Sequence, residues 1–466
     1  MTEATNGHLK DKPAEEDQPL VSPDQENGVE EEIEVIELGL GSPGLGSIYS
    51  LKSSSIIESS TKRGIITFLE SFMGTGILAL PYVFNDVGLV PAWILLFMIG
   101  CINYYTMRLV HTVATDLKIG KVDYGRLMER ATRRQSLRYF AEWNLHILQI
   151  GAIIPSLVYI FQYFNKMACL YEWSMFCGVK WAQALVILAF VIPIGSVTHI
   201  HHMAIPSGIA LIFQLLFFAI FLVISISTLQ VLGKNGSISK ADFFEFNPSK
   251  LPISFATMLF AYEGIGLLLE VRSSVGDNKK FAKVIQWTFI GCTTLYLVFG
   301  TIGKLAYGDA VEPLIFMNLD QTDGLIVFVE VMYLFGLVIA IPSGLFPVLR
   351  IVESWDIFRD FLADKETGKK AKFKRVLLKL PIILFVTLIA MLVPSFELVL
   401  GLLGGLNFTT LDFVVPVLLY NFHFRKNPQK RFMRWANWCL LLVGTAIGIL
   451  ATIQSVYEMA VYDKLG

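Results

Sequence analysis

From Gly64 onward, apolar stretches of about twenty residues alternate with short polar segments, and this rhythm limits the fold more than any other feature of the chain. Twenty residues rising about 1.5 Å each cover roughly 30 Å, the thickness of a bilayer's hydrocarbon core. Composition agrees, since 54% hydrophobic against 17% charged residues leaves too little charge to cover a soluble surface. The expected architecture is therefore an all-α polytopic membrane protein with about eleven transmembrane helices. They are expected near 64–88, 91–113, 140–167, 181–198, 204–232, 252–274, 283–307, 323–352, 375–393, 395–421 and 434–460.

The chain divides in two at about residue 60. Residues 1–60 carry Glu15, Glu16, Asp17 and the run Glu30 to Glu32 among serines and glycines, a composition that cannot bury a core. They read as a disordered acidic cytosolic tail with no cleavable leader, and residues 61–466 as the transmembrane domain. With the N-terminus cytosolic, loops on that side hold Lys118, Arg126, Arg130, Lys279, Lys280, Lys369, Lys370, Arg425 and Lys426 among others, roughly fourfold more Lys and Arg than the opposite loops. An odd number of spans puts the C-terminus outside or in a lumen. On that same side Asn235-Gly236-Ser237 forms a glycosylation sequon. Cys169 and Cys177 share one short loop there, as a local disulfide or as two free thiols.

The first span contains Met73-Gly74-Thr75-Gly76 followed by Ala79-Leu80-Pro81 at mid-membrane depth. Glycine costs about 1 kcal/mol and proline about 3 kcal/mol inside a helix, so this segment favours an unwound patch with free backbone groups. Lipid cannot satisfy those groups, but a polar ligand can. The sixth span repeats the device as Ala261-Tyr262-Glu263-Gly264-Ile265-Gly266. Broken segments five helices apart are the sequence sign of an inverted repeat with a solute site between the breaks. The same glycines also suit close helix packing, which leaves Glu263 unaccounted for.

Such a site suits a small zwitterion. The N–H groups after Gly74, Thr75 and Gly76 would hold a carboxylate, and carbonyls near Tyr262, Glu263 and Gly264 an ammonium. Phe260 and Tyr262 would then select side chains, and Ser343, beside Pro342, would lend a hydroxyl or satisfy its own helix's kink. A carboxyl in hydrocarbon costs about 2.5 to 3.5 kcal/mol on insertion scales, so Glu263 and Glu70 stand as proton-coupling candidates or as structural carboxyls. Lys304, Glu330 and Asp412 fall in other spans, as ion pairs or as coupling groups. Glu270 and Arg272, near the cytosolic end of the sixth span, read as snorkelling side chains or as a gating pair. His199, His201 and His202 share a turn with no acidic or cysteine companion, so no metal site is expected.

Several of these segments together resemble the amino acid/auxin permeases, and among them the proton-coupled amino acid transporter branch. The likeness rests on Gly74 to Pro81 with Asn85 and Gly88, on Leu259 to Gly266, on Phe346-Pro347-Val348 with Arg350 and Glu353, and on Pro416. It implies a leucine-transporter-like fold with a five-plus-five inverted repeat, solute held at the breaks of helices one and six, and symport of small neutral amino acids with protons. Plasma-membrane and lysosome-like locations follow from the same likeness. Three residues depart from it: Thr67 stands where a histidine is usual, and Glu270 and Arg272 replace a proline and an acidic residue. Sodium coupling and an amino-acid-sensing receptor of the same fold therefore stay open as alternatives.

Among other classes, an enzyme is not expected, because no nucleophile-base or metal-spaced constellation occurs. Nothing in the chain suits nucleic acid or a cofactor. The expected partners are an amino acid substrate and the lipid bilayer, and the acidic tail reads as a passive solvated segment or as the binding site of a cytosolic protein.

Overall fold

In the computed structural model, the described residues run from 66 to 465, less Thr67, Glu70, Ser71, Lys121, Gly276, Pro394 and the stretches 196–203, 235–242 and 355–368. Side chains are further described only outside 194–207, 232–242, 342–376, Leu378 and 462–465. The acidic tail at 1–60, the expected coupling carboxyl of Glu70, the sequon at Asn235, the cluster His199, His201 and His202, and the Ser343 side chain lie outside the described residues.

Among the described residues every regular element is helical. Helix α1 comprises the described helical residues Ile66, Phe68, Leu69 and Phe72 and, after a break, Thr75–Ala79 and Leu80–Val87. It is followed by α2 (Leu89–Asp116), α3 (Gln135–Leu170), α4 (Lys180–Gly195) and α5 (Ala204–Lys234). Helix α6 runs Leu251–Ala261 and resumes, after a break, as Ile265–Leu267 and Leu268–Val275. Then come α7 (Asn278–Tyr307), α8 (Gly324–Ser354), α9 (Lys369–Leu392), α10 (Phe396–His423, with interruptions) and α11 (Arg431–Leu465). Among the described residues eight stretches are long and apolar enough to cross a bilayer, two shorter apolar helices fall in α4 and α9, and the broken α1 brings the spans to eleven. The chain is a multi-pass membrane protein.

The helix contacts repeat when the two halves of the chain are exchanged. Helix α1 packs on α7 as α6 packs on α2; α5 packs on α8 as α10 packs on α3; α4 packs on α8 as α9 packs on α3; and α5 packs on α7 as α10 packs on α2. This is the five-plus-five arrangement, with α1 and α6 as corresponding members. Burial sorts the helices by position. The apolar windows of α6 and α10 are 72% buried and that of α11 only 22%, so α6 and α10 form the centre while α11 leaves most of its apolar surface for lipid.

Three details depart from the sequence expectations. A short helix, Tyr124–Thr132, lies in the α2–α3 connection; Asp123 caps it by accepting from Arg126 N at 2.7 Å, Tyr124, Leu127 and Met128 are buried, and Arg126 and Arg130 face outward. Its one apolar face spans little more than two turns, too few residues for the twenty-residue rhythm to register. Arg272 does not snorkel: it is 6% exposed and donates to Ile119 O (2.7 Å), Gly120 O (3.3 Å) and Asn278 Oδ1 (2.9 Å), tying the end of α6 to the segment after α2. Carbonyl and amide oxygens draw the guanidinium inward where the sequence offered only an interface. Helix α10 is not one regular helix, because Gly404–Phe408 and Thr410–Val414 take wider π turns.

Two of the charges buried in the spans, Lys304 and Glu330, have partners close by. Lys304 donates to Asn85 Oδ1 and lies 3.7 Å from Asp309, and Glu330 accepts from Gln321 Nε2 at 3.0 and 3.2 Å. Cys169 and Cys177 are joined in a disulfide in the α3–α4 loop.

Candidate functional site at two helix breaks

Helix α1 stops at Phe72. Gly74 is extended (φ −79°, ψ −172°), and the chain resumes as a tight turn of 3-10 helix before Pro81, near the start of the following α-helix, where no N–H is required. No side chain caps the new N-terminus, so the first-turn N–H groups after Gly74 lack both an intrahelical acceptor and a capping oxygen. Helix α6 stops at Ala261, Tyr262 leaves helical geometry (φ −85°, ψ 38°), and Gly264 leads into the next 3-10 turn.

The two breaks lie against each other. A Cβ added to Gly74 would stand 3.6 Å from Glu263 Oε2, while one added to Gly76 would stand 2.7 Å from Ala261 Cα and 2.9 Å from Phe260 Cδ1. Gly264 leaves no room for a Cβ against the Phe72 ring. Glycine at 76 therefore lets one backbone approach the other, and glycine at 264 makes room for the Phe72 ring, which accounts for the packing reading of these glycines. At Gly74 ordinary contact distance remains, and the neighbour is a carboxyl oxygen.

Side chains from other helices close most of the freed carbonyls. The Tyr296 hydroxyl of α7 bonds both Phe72 O and Ala261 O, the latter at 2.7 Å, and so ties together the last turns before both breaks. Asn103 of α2 donates to Tyr262 O at 3.3 Å, Gly264 N donates to the same oxygen at 2.7 Å, and Tyr124 donates to Ile265 O at 2.5 Å. None of Asn103, Tyr124 or Tyr296 was singled out from sequence. For Asn103 and Tyr296 the one available signal was a lone amide or hydroxyl in an apolar span, and many such residues have no special role; Tyr124 lies in the connecting helix and carried no signal of that kind.

The predicted site residues fall into distinct positions. Thr75 and Gly76 are buried at the start of the resumed helix. Glu263 is half-buried, with its carboxyl turned to Gly74. The Tyr262 hydroxyl pairs with Thr293 Oγ1 at 2.8 Å, and its ring stacks on Phe289 at 5.7 Å between centroids, so its side chain points toward α7. Phe260, 1% exposed, packs edge-on against Phe408 of α10 at 5.0 Å. The structure thus brings Gly74, Thr75, Gly76, Glu263 and Gly264 together and turns the Tyr262 phenol into a strut. Among the described residues no group of three metal-ligating side chains converges.

Comparison with known proteins bears on this geometry. The chain is 27% identical over 403 residues to amino acid transporter AVT3B of Arabidopsis thaliana, covering 84% of this chain and 91% of that protein. It is 25% identical over 357 residues to amino acid transporter ANT1 of the same plant, covering 74% and 81%. Vacuolar amino acid transporter 4 of Saccharomyces cerevisiae is 26% identical over 302 residues, which are 63% of this chain but only 41% of the yeast protein. Among solved structures, MhsT in complex with L-phenylalanine aligns over 84% of this chain with a TM-score of 0.44 and 12% identity, too distant for anything to be carried over. A family model described as transmembrane amino acid transporter protein matches residues 58–461, and with that match the chain belongs to this family.

Proposed function

We propose that this protein is a secondary active transporter of small neutral amino acids, moving them by alternating access in symport with protons. The observation that carries the reading is the apposition of an uncapped helix start at Thr75 with the Glu263 carboxyl across Gly74. Free N–H groups and the positive end of a helix suit an amino acid's carboxylate. Its ammonium falls to Glu263, because Tyr296, Asn103 and Gly264 already occupy the carbonyls at the break. The close backbone approach at Gly76 keeps the space small and favours small side chains. The relatives named above as amino acid transporters agree with this substrate class.

In this reading the N-terminus faces the cytosol, and the Cys169–Cys177 disulfide lies on the oxidising side, opposite the Lys- and Arg-rich loops. That side is extracellular for a plasma-membrane protein and lumenal for a lysosome-like one, and Asn235 lies on it as a glycosylation acceptor. Glu263, with Glu70 one turn before the α1 break, carries the coupling proton.

The test is uptake of labelled alanine, glycine and proline into proteoliposomes of the purified protein under an inward proton gradient, then under a sodium gradient. Proton-driven accumulation that Glu263→Gln abolishes, together with weaker binding of the same amino acid, is the expected result. Sodium-driven accumulation would reassign the ion, and saturable binding without flux would make the protein a sensor.

A further inference from the structure

Helix α10 carries a second buried carboxyl that the site described above does not use. Asp412 lies in the π segment Thr410–Val414 and is 0% exposed. Its Oδ2 accepts from Asn103 Nδ2 at 3.3 Å, and its Oδ1 has no hydrogen-bond partner among the described residues. The elements packed on this segment are α2, α3, α11, the rest of α10 and the Ile265–Leu267 turn of α6. Among the described residues none of them brings a charged side chain to bear on Asp412. Its titratable neighbour is Tyr124 of the loop helix, whose phenol is already committed to Ile265 O. An ionised carboxylate buried with one long hydrogen bond and no cation is costly, whereas the neutral acid is not.

The partner of Asp412 gives the location its meaning. The same Asn103 Nδ2 that faces Asp412 also donates to Tyr262 O in the α6 break, at 3.3 Å, and Asn103 Oδ1 is buried without a donor. Asn103 is itself 0% exposed, so water does not compete for these bonds. One amide thus divides its hydrogens between a carboxyl and a carbonyl of the site. An ionised Asp412 pulls the amide toward itself and away from Tyr262 O. A proton on Asp412 weakens that pull and supplies a donor that this group of oxygens lacks. π turns in α-helices recur where function needs a displaced side chain, and this one delivers Asp412 to Asn103.

We infer that Asp412 binds a proton and transmits its protonation state to the break of α6 through Asn103, as a second coupling group beside Glu263. The inference deepens the transport reading and rests on it for its role in coupling, while the proton site and its link to α6 can be tested without substrate.

Two measurements on the purified full-length protein in lipid decide it. Infrared titration of the wild type should show a protonated carboxylic-acid band at neutral pH that Asp412→Asn removes and Asn103→Leu keeps but shifts. Hydrogen–deuterium exchange of the peptide covering residues 259–268, corrected for intrinsic rate, should change at least about fivefold across that titration in the wild type and stay flat in both variants, the scale of a coupling of 1 kcal/mol or more. A purely structural Asp412 would lower stability in Asp412→Asn without giving this pattern. Survival of the band in Asp412→Asn overturns the proton site, and a persisting exchange response in Asn103→Leu overturns the link. Should Asp412→Asn fail to fold, loss of the response in Asn103→Leu with the band retained still supports the proposal. Uptake of labelled L-alanine by the wild type, run alongside, shows separately whether the transport reading holds.

Discussion

The two helix breaks arise from the same kind of sequence, yet the protein treats them differently. Around α6, Tyr296, Asn103, Gly264 and Tyr124 take up the carbonyls of Ala261, Tyr262 and Ile265. At α1, the Phe72 carbonyl is tied down by Tyr296, but the helix resumes with no capping side chain. One break is closed on its acceptor side by the protein and the other is left with donors. The lesson is that a broken helix does not offer both polarities by default. Neighbouring helices decide which groups stay free, and here no side chain caps the N–H donors that start the resumed α1, while the Glu263 carboxyl stands across Gly74 on α6.

That contrast can be broken at its tightest point first. Gly76→Val puts atoms where Ala261 Cα and Phe260 already stand, and an approach to backbone cannot yield as a flexible side chain would. Overpacking of this kind costs about 1 to 3 kcal/mol, and the two half-helices must part. Uptake should fall to background while the protein remains monodisperse in detergent. Retained uptake would mean that the solute does not sit between the breaks.

A second change attacks the shared closure. Tyr296→Phe leaves Phe72 O and Ala261 O without their common donor, at a cost of about 1 to 3 kcal/mol for an unsatisfied buried group. The expected result is a clear fall in the detergent unfolding temperature, with transport weakened but present. An unchanged unfolding temperature would show that water replaces the hydroxyl and that the α6 side is less sealed than it looks.

Smaller effects sharpen the contrast. Gly74→Ala places its Cβ at ordinary contact distance from Glu263, so stability should change by less than about 1 kcal/mol, the cost of the backbone preference alone. The apparent affinity for alanine should fall in uptake assays, because the methyl group faces the Glu263 carboxyl. Equal losses of stability in Gly74→Ala and Gly76→Ala would erase the distinction between an open and a packed glycine. Thr293→Val removes the hydroxyl that pairs with the Tyr262 phenol and should cost about 1 kcal/mol in unfolding, with little effect on substrate preference. A changed preference would return Tyr262 to the substrate pocket.

The spans, their count and the two breaks were all legible in the residues. The twenty-residue rhythm and the cost of glycine and proline in a helix are local properties, and a bilayer leaves helices as the only way to satisfy the backbone of such stretches. The glycines at 74, 76 and 264 and the carboxyl of Glu263 could be named for the same reason. What the sequence could not supply was the set of partners. Arg272 turned inward to carbonyls of Ile119 and Gly120, more than 150 positions away in the chain, and Asn103 reached Tyr262 and Asp412 across separations of 159 and 309 residues. The Tyr262 ring, a natural choice for a pocket wall, became a strut to α7 because Thr293 and Phe289 wait there. The sequence by itself determined where the backbone would break and so where polar groups would be freed. Only the tertiary structure decided which of those groups would be closed again, because a hydrogen bond between helices depends on positions in space that no local pattern encodes.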